Sequence, residues 1–143
     1  MITDVELLTK VCEAADMGRD SINQVKGLTD NQPLNSALEQ QCKEYDNIYN
    51  RAESILQQQG RPPKNSSTFA KVNSRIQVNL QTTLTDNVAS KIADMVIKGS
   101  TMGVTKITKQ LHTYDGSNQA AKEVAQQLIQ TEESNISEMK QFL

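Results

Sequence analysis

PLNSALEQQCKEYDNIYNRAESILQQQ, running from Pro33 to Gln59, is the stretch that decides the fold. Leu38, Tyr45 and Ala52 stand seven residues apart, and so do Cys42, Tyr49 and Leu56. Together they make an a/d seam of the kind that packs one helix against others. Ile48 and Ile55 broaden the seam into the wider apolar stripe of a bundle helix. Pro33 suits the first helical position, where its missing N–H costs nothing. Gly60, with Pro62 and Pro63 just beyond, marks the stop.

The same period continues on both sides. Upstream, Thr3 and Glu6 form a Thr-x-x-Glu capping box, so a helix is expected from about residue 4. Val5, Leu8, Cys12, Ala15, Ile22 and Val25 recur at three- and four-residue steps behind it. Gly18 interrupts this stripe where a neighbouring helix could approach closely. Gly27 and the polar run to Pro33 end the helix. Downstream, Phe69, Val72, Ile76 and Leu80 predict a shorter amphipathic helix, and Thr82–Thr85 predicts a break with Thr85 as a new N-cap. Val88, Ile92, Met95, Val96, Gly99, Met102, Gly103 and Ile107 extend that third segment, as one kinked helix or as two in succession. A turn at 113–117 leads to a last helix over about 118–141, with the stripe Ala121, Ala125, Leu128, Glu132, Asn135 or Ile136, Met139 and Phe142. No alternating strand pattern and no 20–50-residue repeat is present. The chain therefore reads as one all-α domain over residues 1–143, an antiparallel four-helix bundle with a long, kinked third segment.

Composition limits the function. With 143 residues, a net charge of −2 and a pI near 5.4, a basic nucleic-acid surface is not expected. Two Phe, three Tyr and no Trp leave little for base stacking. No apolar run approaches the roughly 20 residues of a membrane span, and the first residues have no signal-peptide pattern. The expected location is the cytoplasm, with no membrane partner. Cys12 and Cys42 both fall within helical patterns and read as buried free thiols.

Four stretches taken together resemble a known group. They are Ala15-Asp16-Met17-Gly18 with Ser21-Ile22; Cys42-Lys43-Glu44-Tyr45; Leu84-Thr85-Asp86 with Lys91 through Gly103; and Leu128 through Ile136. They are similar to a family of small, uncharacterised ferritin-like bundle proteins of Gram-positive, largely clostridial, bacteria. The resemblance implies a ferritin-like up-down bundle and a cytosolic bacterial protein. It implies no established activity.

Ferritin-like carboxylate proteins hold two metals with a Glu from each of two helices and Glu-x-x-His from each of the other two. Two divalent ions need that much negative charge, and i, i+3 spacing puts Glu and His on one face. Here Glu39 is followed three residues later by Cys42, and Glu132 by Asn135. Both histidines are missing. From Val88 to Leu111 the only acid is Asp94, and the single histidine, His112, sits at that helix's end. A complete di-metal site is not expected, and no cofactor is. What remains is a degenerate metal site of Glu132, Asn135, Glu39 and Cys42. Because an unpaired buried carboxylate is costly, Glu132 is expected at a hydrated bundle edge or paired with Arg19 or a lysine; a buried polar network fixing helix register is the third possibility.

Other features read as packing. Gly99-x-x-x-Gly103 predicts close helix contact inside the bundle, or else a subunit interface. Tyr45 and Tyr49 read as core fillers with solvated hydroxyls. Lys98, Lys106 and Lys109 near Asp94 read as a wet face. The functional expectation is a non-enzymatic structural or interaction module that self-associates, with a degenerate metal-binding or redox protein as the alternative.

Overall fold

The computed structural model describes residues 1–60 and 87–143. The amphipathic helix expected over Phe69–Leu80 and the break at Thr82–Thr85 lie outside the described residues. Those residues form four α-helices: α1 (Asp4–Val25), α2 (Gln32–Gln58), α3 (Val88–Thr113) and α4 (Gln119–Met139), followed by a single 3-10 turn, Lys140–Phe142. No described helix is long and apolar enough to cross a membrane.

The helix ends follow from local chemistry. The Thr3 hydroxyl accepts from the Glu6 N–H at 3.1 Å, and Glu6 Oε2 accepts from the Thr3 N–H at 2.8 Å, closing the expected capping box. Asn31 caps α2 by accepting from Leu34 N–H at 3.0 Å, which starts the helix at Gln32 and puts Pro33 one position further in than expected. Asn118 does the same for α4 through Ala121 N–H. Gly27 (φ +88°) and Gly60 (φ +73°) take the left-handed conformation just past α1 and α2, which a side chain would strain.

Each helix buries one stripe, and the stripes share one aliphatic core that includes Leu7, Leu8, Leu34, Leu38, Ile48, Leu56, Ile92, Ile107 and Leu128. α1 packs most extensively on α2, and α3 on α4, because the connections at 26–31 and 114–118 are too short for anything but neighbours. The α1–α2 contacts run in opposite numerical order. Cys12 meets Tyr49, Gly18 meets Tyr45, and Cys42 meets Asn23. Between α2 and α4, Gln41 bonds Glu138, Tyr45 bonds Glu132, and Arg51 bonds Gln127. The chain start is tied to the α3–α4 turn: Ile2 N–H donates to Thr113 O at 3.0 Å, and the buried Tyr114 donates its hydroxyl to Asp4.

Candidate functional site: a buried carboxyl under an apolar cleft

Glu132 is the centre of the site. It is 5% exposed, on the inward face of α4. The expectation of a hydrated edge, or of pairing with Arg19 or a lysine, is corrected here. Instead the Tyr45 hydroxyl, from α2, donates to Glu132 Oε1, and Ser100, from α3, hydrogen-bonds the same carboxyl. Asn135 Nδ2 donates to the Tyr45 oxygen at 3.4 Å. Tyr45 is itself buried, so its hydroxyl is not solvated as expected; the ring fills the core and the hydroxyl ends in the network. Three helices thus contribute to one buried polar cluster.

Two small residues make room for it. A Cβ at Gly18 would lie 2.6 Å from Tyr45 Cζ, so only glycine lets the ring lie flat against α1. A Cβ at Gly103 would collide with the Glu132 carboxyl. The close approach at Gly103 is thus to the Glu132 carboxyl and not to a helix backbone. Gly99 behaves differently: it is exposed, and a Cβ there meets nothing within 4 Å. Gly99→Ala is accordingly expected to stabilise the fold by about 1 kcal/mol through helix propensity. Gly103→Ala has the same propensity gain but overpacks a buried group, a cost of about 1–3 kcal/mol, and is expected to be neutral to destabilising. Urea unfolding of the two variants checks this; equal stabilisation by both would show that Glu132 moves aside freely.

Above the carboxyl lies a cleft between α1 and α3 with a volume of about 280 Å³. Ala14, Met17, Ile22, Met95, Val96 and Met102 form its walls, and Tyr45, Ser100 and Glu132 lie on its polar side. Burial is the main force on the carboxyl: it pushes the Glu132 pKa up to about 7, against the hydrogen bonds from Tyr45 and Ser100, which favour the ionised form. Desolvation, and then the neighbouring Glu132 charge, raise the Tyr45 hydroxyl, so it remains a donor at neutral pH.

No family model, curated protein or solved structure matches this chain.

The four residues singled out in the sequence do not meet as one cluster. Glu132 and Asn135 share the network through Tyr45. The Cys42 thiol faces α1, donating to Asn23 Oδ1 at 3.5 Å and lying near Arg19 O, and Glu39 is exposed. Among the described residues, no group of three His, Cys, Asp or Glu side chains is placed to hold a metal ion. Burial also raises the Cys42 thiol and pushes Cys12 up to about 12, so both stay protonated and unreactive at neutral pH.

Arg19 serves a different cluster. It pairs with the buried Asp16, with Asp46 across on α2 at 3.0 Å, and with Asp20 at 3.6 Å. Lys98 pairs with Asp94 at 2.8 Å on the exposed side of α3, in keeping with a wet face.

Sequence reading passed over Ser100, yet its spacing marked it. Val96, Ser100, Gly103 and Ile107 follow steps of four, three and four, which is the helical stripe. A serine among apolar neighbours on that stripe implies a polar partner across the core.

Proposed function

We propose that this chain is a non-catalytic, antiparallel helical bundle of ferritin-like plan that binds a small molecule in the cleft between α1 and α3. The observation that carries the reading is an apolar cleft of about 280 Å³ with one buried carboxyl on its polar side. Concave apolar sites with a few convergent polar groups, and a titrating residue among them, are the usual form of ligand sites. The antiparallel plan draws support from the opposed numerical order of the α1–α2 and α2–α4 contacts. The metal-binding alternative has less support, since Cys42 and Glu39 face away from Glu132's partners.

The five methionines supply the test. Met17, Met95 and Met102 line the cleft, whereas Met139 is in the core and Met1 is at the exposed N-terminus. On titration with 1-octanol, the methyl resonances of the first three are expected to shift in ¹³C-methyl NMR while Met1 and Met139 stay in place. Uniform shifts of all five, or none, would remove the cleft reading.

Self-association is the second reading. Met102 is 56% exposed beside the side-chain-free surface of Gly99, which gives a second copy a flat apolar footing. A sedimentation series is expected to show mass rising with concentration, and a strict monomer at high micromolar protein would eliminate it.

A further inference from the structure

We infer that the ligand of the α1–α3 cleft is a small amphiphile with a cationic amine head, and that Glu132 is its counter-ion. The inference rests on the cleft-binding reading above. Its starting point is that, among the described residues, no cation is paired with the buried Glu132. A buried carboxylate is costly unless paired, and among the described residues Glu132 has only neutral donors, Tyr45 and Ser100. Among the described residues no lysine or arginine forms an ion pair with it. Arg19 is held by Asp16, Asp20 and Asp46, and Lys98 by Asp94.

The accessible face of the carboxyl points the same way. Tyr45 donates to Oε1, while Oε2 lies against Gly103, and Gly103 and Glu132 both line the cleft. The polar groups that α1 brings to the cleft are the uncharged Ser21 and Gln24, and α2 brings Tyr45. From α4 comes Glu132 itself, and the neutral Asn135, one turn on, bonds the Tyr45 hydroxyl. The cationic residues on the cleft, Lys98 and Lys106, are exposed on α3, where solvent and salt screen them. Among the described residues the deep charge is therefore negative and the rim charge is weak. Met17, Met95 and Met102 supply an adaptable apolar wall for the body of the ligand. An ammonium head with an aliphatic tail satisfies both features, whereas a carboxylate head would place like charge beside Glu132.

Binding of an amine requires the ionised carboxylate, so it is linked to proton release. With Glu132 titrating at about 7, affinity is expected to fall about tenfold for each pH unit below that point. An alkylammonium, like a lysine head, stays charged over this range.

The experiment is isothermal titration of the full chain with n-octylamine, 1-octanol and octanoate at pH 8 and pH 6. Octylamine is expected to bind at least about tenfold more tightly than octanol at pH 8, to lose about tenfold at pH 6, and to lose its advantage in Glu132→Gln. The wild-type pH series tests the inference even if the variant does not fold. Octanol binding as tightly as octylamine with no pH dependence, or octanoate binding best, would overturn the amine inference and leave the cleft reading standing. No binding by any of the three would overturn both.

Discussion

Glu132→Gln is expected to leave stability unchanged in mild acid and to raise it by about 3 kcal/mol above neutral pH. In the unfolded chain this carboxyl titrates near 4.5, and in the bundle at about 7. Between those values the folded protein holds a proton that the unfolded chain has released. Protons therefore favour folding, and the contribution is complete below about 4.5 and lost as the pH climbs through 7. Glutamine is a neutral near-isostere that can still accept from Tyr45, so it removes the ionisation without opening a cavity. Comparing the variant with the wild type also cancels Asp16, whose raised carboxyl has the same pH sense. Urea unfolding at pH 5 and pH 8.5 reads the difference directly. A gap between variant and wild type that does not change with pH would mean that Glu132 is hydrated in solution.

Arg19→Met is the second large effect, a loss of about 2–3 kcal/mol at neutral pH. Asp16 is only 3% exposed, and Arg19 is the cation paired with it. Removing one partner of a buried pair usually costs about 3–5 kcal/mol because the other charge is left uncompensated. The lower figure applies because Arg19 is itself 31% exposed and solvent shares its charge. Burial raises the Asp16 pKa and Arg19 opposes that rise, so without Arg19 the carboxyl titrates higher still. The loss is therefore expected to shrink in acid, where Asp16 takes up a proton. Asp16→Asn combined with Arg19→Met is expected to recover most of the loss. A single-variant effect under about 0.5 kcal/mol would show that the pair is solvated and contributes no more than an ordinary surface bridge.

The site was legible only in outline. Glu132 and Asn135 were visible as polar residues on an apolar stripe, and Gly18 and Gly103 as places of close approach. Their partners were not. Whether the Glu132 carboxyl meets water, a cation or Tyr45 depends on the rotation of α4 against α2, which a three-to-four-residue period leaves open by about one position. The same uncertainty hid Asp16 and Gln41, polar residues that the period did not place in the core and that are buried. The a/d pattern of α2 placed Tyr45 on the core side but said nothing of where its hydroxyl ends. That end point is 87 residues away in sequence.

By itself, the amino-acid order determined the all-helical class, the capping box at Thr3, the Gly27 and Gly60 stops and most of the apolar stripes. These depend on interactions within a turn or two of helix, whose partners are written next to one another in the chain. Tertiary structure alone decided that Glu132 is buried, that Tyr45 and Ser100 satisfy it, that Arg19 belongs to Asp16 and Asp46, and that a cleft remains between α1 and α3. Each of these is a contact between helices, set by how four stripes dock and rotate together, and a buried charge is favourable or costly according to what that docking brings within reach.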